Sequence, residues 1–327
     1  MTSAASTAIP TGRPLRVLVT GVSGFAGPAV VRALTARGHS VHGLSRHAPA
    51  GDVGAPLTFH AGDVRDAAGI ARVTNDVAPD AIVHLAAVAE PGAAESHPAA
   101  AYDVNLGGTL AVLAAARSAS RKPRLLLVSS SAVYGAVRAA DQPITEETPL
   151  RPLTVYGASK AAAEIAGLQW ERAYGVDVVV ARPFNHTGPG QRPAYVCAAL
   201  ASQVAAIEDG RQPPVLTVGN VDPVRDVGDV RDVAAGYVAL VERGRSGAVY
   251  NLCTGEGVSV AEIIAQLRTL ARIPMRARMD PGRRRARDVD RIVGSHARAT
   301  AETGWAPRIQ LVDTLATVLD DWRHRAA

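Results

Sequence analysis

The chain has 327 residues, 47% of them hydrophobic and 20% charged, with a formal net charge of +5 at pH 7. That length allows one large α/β unit and a smaller lobe, each with its own core, in the composition range of a water-soluble globular protein. The modest charge and 4% aromatic content argue against a nucleic-acid reader, two distant cysteines give neither a zinc pattern nor a disulfide framework, and no uninterrupted apolar run reaches the roughly 20 residues of a membrane span. Residues 1–14 lack the basic start and apolar core of a signal peptide and read as a disordered tail. Cys197 and Cys253 fit a reducing cytoplasm.

From Leu15, short β-branched runs alternate with longer alanine-rich stretches, the pattern of βαβ units around a parallel sheet. The first strand, LRVLVT at 15–20, runs into Thr20-Gly21-Val22-Ser23-Gly24-Phe25-Ala26-Gly27 and a predicted helix over 27–37. This is the setting a dinucleotide fingerprint needs. Gly21 permits the tight turn, Gly24 lets backbone approach a pyrophosphate, Gly27 allows close helix packing, and Ser23 and Phe25 complete the loop facing the anion. Outside that setting the same glycines would be a plain turn.

The second strand, SVHGLS at 40–45, ends on Leu44-Ser45-Arg46, where an NAD site usually shows an acid for the ribose hydroxyls. A small residue followed by arginine suits a 2′-phosphate, which favours NADP(H) over NAD(H), although a strand-end arginine is also a common solvated residue. Asp63 and Val64, in GDVRD, are candidates for the adenine pocket, and Asp63 could equally be a loop residue. Leu85-Ala86-Ala87, at the end of the strand DAIVHLA, offers the cofactor a wall of small side chains.

A predicted helix over 99–119 leads to the strand RLLLVSS at 124–130. The segment Tyr156-Gly157-Ala158-Ser159-Lys160 then sets a tyrosine and a lysine four residues apart at the start of a helix reaching Tyr174, on one face. A neighbouring ammonium is expected to draw the phenol from about 10 toward neutrality, making it a general acid/base, while the lysine holds a nicotinamide ribose. Ser130, at the carboxyl edge of the sheet, is placed to hydrogen-bond the oxygen whose charge changes. Alone, the Tyr-x-x-x-Lys spacing is more often an ordinary exposed helix pair.

The strand VDVVVARP ends at Pro183, and beyond it proline and glycine punctuate shorter elements. Residues 184–325 read as a substrate lobe following a dinucleotide-binding domain at 15–183, with one segment returning to the sheet. Helices are expected over 230–242 and 259–271, the second opened by a Ser259/Glu262 capping box. Four of the five residues from Arg283 to Arg287 are arginine.

The motifs TGVSGFAG, GDVRD, HLAA, NLGGT, SSSAVYG, YGASK and RPFN, in this order, resemble the extended short-chain dehydrogenase/reductase family, and the likeness runs from Arg16 to Arg323. It implies a Rossmann-like, doubly wound parallel sheet with a smaller α/β substrate lobe. It also implies a catalytic triad of Ser130, Tyr156 and Lys160, with Asn105 supporting the site's helix geometry and, like Pro183, placed at the cofactor site. A homodimer through a four-helix bundle, built from the helices at 99–119 and 158–174, follows from the same likeness.

Dehydratases of that family carry Asp-Glu directly after the catalytic hydroxyl, where this chain has Ser131 and Ala132. Without a carboxylate pair, elimination of water lacks its acid and base, and hydride transfer remains. RPFNHTGPGQ at 182–191, with Arg225-Asp226-Val227 and the pattern from Asp280-Pro281 to Gly304-Trp305, resembles GDP-4-keto-6-deoxy-D-mannose reductases. By that likeness Asn185, Arg225 and Arg285 would hold a nucleotide diphosphate, with Ser131 beside the sugar. The expectation is NAD(P)H-dependent reduction of a nucleotide-linked 4-keto-6-deoxyhexose. The alternatives are a nucleotide-sugar 4-epimerase that retains NAD, and a non-catalytic nucleotide-binding regulatory protein. His186 is more plainly a loop histidine satisfied by backbone than a ligand of the sugar.

Overall fold

The computed structural model describes residues 13–283 and 289–326. Its first half runs β1 (Arg16–Thr20), α1 (Gly27–Ala36), β2 (Ser40–Ser45), β3 (Thr58–Ala61), α2 (Ala67–Val77) and β4 (Ala81–His84). Next come the short helices α3 (Pro91–Ser96) and α4 (Pro98–Tyr102), then α5 (Gly108–Ser118), β5 (Arg124–Val128), α6 (Val155–Tyr174) and β6 (Val178–Pro183). β4, β5 and β6 are buried along their whole length because helices cover both faces of the sheet. Even Arg124 is enclosed, its guanidinium paired with Asp177 and with the Val241 carbonyl.

The second half is built of shorter pieces. These are β7 (Asn185–Thr187), α7 (Val196–Glu208), β8 (Val215–Val218), β9 (Val224–Arg225), β10 (Val227–Asp229), α8 (Val230–Arg243) and β11 (Val249–Leu252). They are followed by β12 (Val258–Ser259), α9 (Val260–Leu270), β13 (Arg276–Met279), β14 (Arg291–Ile292), α10 (Ala297–Thr303) and α11 (Leu311–Ala326). The Ser259/Glu262 capping box that opens α9 is present, each partner satisfying an amide that would otherwise be orphaned.

The main sheet has the order β11-β6-β5-β4-β1-β2-β3, and every pairing in it is parallel. Between β1 and β4 the chain reverses the direction in which it adds strands, so the carboxyl ends of the strands open into a crevice there. One core lies where α1 and α8 cover the sheet (Val17, Val30, Leu34, Val238), and another where α2 and α5 cover the opposite face (Leu18, Ile70, Val112, Leu125). A third, formed by α7, α9 and α11, holds Leu200, Ile263 and Leu315 away from the sheet.

Three expectations need correction. Arg13 and Pro14 do not belong to a loose tail, because Arg13 is ion-paired with Asp80 at 2.6 Å; residues 1–12 lie outside the described residues. The helix expected over 99–119 is an α4, π-turn (Asp103–Gly107) and α5 succession. That succession, Pro98–Ser118, is long and apolar enough to cross a bilayer by length and composition, and half of it is buried inside the protein. The sequence concealed this because Asp103 and Asn105 interrupt the apolar run. The helix expected from Ala158 starts earlier, at Val155, because Thr154 accepts the Gly157 amide at 3.0 Å and so caps it.

Candidate active site

At the carboxyl ends of the sheet strands lies one cleft of about 1570 Å³, lined from both halves of the chain. Its floor begins at the turn after β1. Gly21 has a φ of +73°, and a side chain there would collide with the Ala86 backbone; at Gly27 a Cβ would come within 1.9 Å of the Val22 carbonyl. Glycine is therefore required at both places for close backbone packing. The same turn brings Ser23, Gly24 and Phe25 to the cleft, ahead of the α1 N-terminus.

Leu85, Ala86 and Ala87 form the wall beyond β4, and Asp63 and Val64 reach the cleft after β3. The Arg65 guanidinium grips Asp63, at 2.7 Å for the shortest contact, and holds its carboxyl down to about 2. Ser45 is buried and donates its hydroxyl to the His47 carbonyl at 2.7 Å, which fixes the turn carrying exposed Arg46. Arg32 of α1 lines the same end of the cleft, a second guanidinium that the sequence reading did not include.

Asn105 does not line the cleft. It is fully buried, receives the Val88 amide at 2.7 Å and donates to Ser159 Oγ at 2.8 Å, tying the chain after β4 to α6. Its place is behind the site, in keeping with the expected support of the helix, and the expectation that it also touches the cofactor is corrected.

Ser130, Ser131, Tyr156, Lys160 and Pro183 all face the cleft. Ser130 Oγ accepts the Ala132 amide at 3.1 Å and lies near enough to the Tyr156 phenol to favour its ionised form. The electrostatics differ from expectation. Burial pushes the Tyr156 phenol up to about 12, against the lowering effect of Ser130, and brings Lys160 down to about 8, against the raising effect of Glu164. The phenol is half-buried at the cleft wall, and the partial loss of water there disfavours the phenolate. The phenol therefore stays protonated near neutral pH, which suits a proton donor.

Beneath the lysine, His84 is buried between Thr20 Oγ1 (2.7 Å) and Thr109 Oγ1 (3.2 Å). Thr109 gives its own proton to the Asn105 carbonyl, so His84 Nε2 donates to Thr109 and Nδ1 accepts from Thr20. Burial lowers this imidazole to about 3 and keeps it neutral.

The second half contributes Asn185, His186, Gln191, Tyr195 and Arg225 to the cleft. His186 bonds the Phe184 carbonyl at 2.9 Å and stacks on Phe25, which satisfies it as the plainer reading had it. Arg225 is half-buried beside Asp226, whose carboxylate takes the amides of Thr254, Gly255 and Gly294 and the Thr254 hydroxyl. Tyr195 faces Tyr156 closely enough to raise its phenol, and nothing in its local sequence marks it. Arg285 and most of its basic run lie outside the described residues.

A glycine turn at the switch point, small walls and a Ser-Tyr-Lys group at the sheet's carboxyl edge define an NAD(P)-dependent oxidoreductase of the extended short-chain dehydrogenase/reductase type. Within that class, residues 18–318 match the model of the GDP-mannose 4,6 dehydratase family, and the chain belongs to that family. The chain is 38% identical, over 95% of its length and 98% of the relative's, to a GDP-6-deoxy-D-mannose reductase of Pseudomonas aeruginosa. A UDP-glucose 4-epimerase of Streptomyces lividans is 33% identical, with 95% and 96% covered. Among solved structures, RMD from Pseudomonas aeruginosa complexed with NADPH superposes with a TM-score of 0.84 at 36% identity, covering 95% and 99% of the two chains. A Thermus thermophilus UDP-glucose 4-epimerase in complex with NAD gives 0.83 at 31%, covering 94% and 99%.

Proposed function

We propose that this protein reduces the 4-keto group of a nucleotide-linked 4-keto-6-deoxyhexose, with NADP(H) as its cofactor. The observation that carries this reading is that Ser130, Tyr156 and Lys160 line one cleft together, with Ser131 and Ala132 where a dehydratase would place two carboxylates. The similarity to a GDP-6-deoxy-D-mannose reductase supports the substrate class, and the likeness to a structure holding NADPH supports the cofactor.

The cradle fits a dinucleotide in that Gly21 and Gly27 let the turn after β1 pack directly on neighbouring backbone, which holds the loop of Ser23, Gly24 and Phe25 at the cleft ahead of α1. Gly21, Ser23, Gly24, Phe25 and Gly27 would hold the pyrophosphate, Asp63, Val64 and Leu85 to Ala87 the adenosine side, and Ser45 and Arg46 the 2′-phosphate. Lys160 and Pro183 would hold the nicotinamide end. The cofactor, once bound, supplies a hydride. Ser130 orients the ketone oxygen, Tyr156 gives it the phenolic proton as charge develops, and Lys160 keeps a positive charge close to the site. Asn185 and Arg225 hold the diphosphate, with Ser131 near the sugar.

We read residues 15–183 as the cofactor domain and 184–325 as the substrate lobe, in a cytoplasmic enzyme. We further infer a homodimer through α5 and α6, where Leu110 is 38% and Ile165 59% exposed; light scattering at twice the chain mass is the expected result. The second reading, a 4-epimerase retaining NAD, is favoured by the 33% identity to the Streptomyces lividans enzyme. A panel of nucleotide-linked 4-keto-6-deoxy sugars and nucleotide-linked hexoses separates the two readings. Oxidation of added NADPH with a keto sugar is expected. Tightly bound NAD released on denaturation, together with hexose epimerisation and no NADPH oxidation, would replace the first reading with the second.

A further inference from the structure

Only two of the 35 basic side chains in this protein are lysines, Lys122 and Lys160, and Lys160 is 2% exposed. One helical turn further along α6 is Glu164, 1% exposed, on the same helix face. Glu164 is held by Arg182 at the end of β6. Arg182 Nε lies 3.2 and 3.1 Å from the two carboxylate oxygens, and Nη2 makes a further contact with Oε1. Arg182 Nη1 donates to the Tyr134 phenol at 2.7 Å and to the Glu146 carbonyl at 3.1 Å, and Tyr134 donates onward to Asn251 Oδ1 at 2.7 Å. Four of the five guanidinium hydrogens are thereby engaged. The network joins α6, which carries Tyr156 and Lys160, to the segment after β5, which carries Ser130 and Ser131.

We propose that Glu164, anchored by Arg182, is a positioning residue of this site: the buried counter-charge of Lys160, and the pin between the tyrosine helix and the serine segment. A buried ammonium stays charged only with a partner. Glu164 stands four residues from Lys160 on the same face of α6, with no direct ion pair between them within 4 Å among the described residues; neutral His84 on β4 is the other titratable group acting with Lys160, and Arg182 on β6 and Tyr134 lie behind Glu164. Glu164 is the carboxylate among them. Burial and Glu164 act on Lys160 in opposite directions, and the residual value of about 8 leaves it mostly charged at neutral pH.

This inference rests on the assignment of Lys160 to the catalytic group, and it is tested without substrate. The full-length protein labelled with 13C at lysine Cε gives one signal for Lys122 and one for Lys160, each titrated by NMR. Glu164→Gln is expected to move the Lys160 midpoint down by about one unit and leave Lys122 in place. Mere loosening of the fold would admit water and move the midpoint up, toward an ordinary lysine. Glu164→Asp, which keeps a charge for Arg182, is expected to give a smaller downward shift and carries the test if the glutamine variant does not fold. An unmoved or raised Lys160 midpoint in a folded variant overturns the proposal. A downward shift in a protein that fails to reduce any keto sugar would uphold it while removing the ketoreductase reading.

Discussion

The two halves of the cleft are made in different ways. On the cofactor side, backbone does most of the shaping: glycines at 21 and 27 let two chain segments touch, and fully buried parallel strands hold them rigidly. On the substrate side, β9 and β10 are only two and three residues long, too short to set a side chain by pairing alone. Aspartates supply the missing rigidity. Asp226 gathers three amides and a hydroxyl, Asp229 caps α8 while binding Arg231 and Thr314, and Asp232 accepts the amides of Arg308 and Ile309. A rigid cofactor floor faces a pinned, charge-dependent lobe, so changes on the two sides should fail in different observables.

The largest effect belongs where both sides meet. Tyr156→Phe removes the proton donor and should lower turnover by about 10²- to 10⁴-fold while NADPH affinity, followed by fluorescence titration, stays within about twofold. Turnover near the parent value would end the acid role of Tyr156. On the lobe side, Arg225→Gln should raise KM for the nucleotide sugar by roughly 10- to 100-fold, the loss of a charged hydrogen bond, and leave NADPH affinity unchanged. A matching loss of NADPH affinity would show that the two sides are not separable.

On the cofactor side the floor itself carries a pH signature. His84 has its folded value near 3, below the ordinary 6.5, so its contribution to stability is complete above about pH 6.5 and is lost as pH falls toward 3. At pH 5 that loss amounts to about 2 kcal/mol. Urea unfolding at pH 7 and pH 5 should show it in the parent protein and a smaller difference in His84→Asn; equal slopes in both would remove the claim. The smallest effect is expected at the rim, where Arg46→Ala should weaken NADPH binding by about tenfold and leave NADH binding unchanged. Equal weakening of both would take the 2′-phosphate away from Arg46.

Local spacing explains what was legible in the sequence. The turn from Gly21 to Gly27 and the Tyr156/Lys160 face depend on neighbours within one or two helical turns, and buried β4, β5 and β6 announce themselves as apolar runs. β3 (Thr58–Ala61) is an edge strand with both ends exposed, and β11 carries a buried Asn251, so neither gives that signal. Asn105 shows the limit at the site: its motif pointed to the right region, but its hydrogen bonds with Val88 and Ser159 span 17 and 54 residues. The phenol of Tyr156 is the sharper case. Its neighbours were readable, but its half-buried place on the cleft wall, which disfavours the phenolate, is a property of the assembled cleft. Glu164, in plain sight four residues past Lys160, acquires its partner only when β6 brings Arg182 beside it.

The most direct test of a one-way ketone reduction uses NADPH deuterated at the transferring carbon, a nucleotide-linked 4-keto-6-deoxymannose and the purified protein. One deuterium at C4 of the product sugar, with one NADPH oxidised per sugar, is the result the site geometry requires. Unlabelled sugar with no net NADPH oxidation would contradict it.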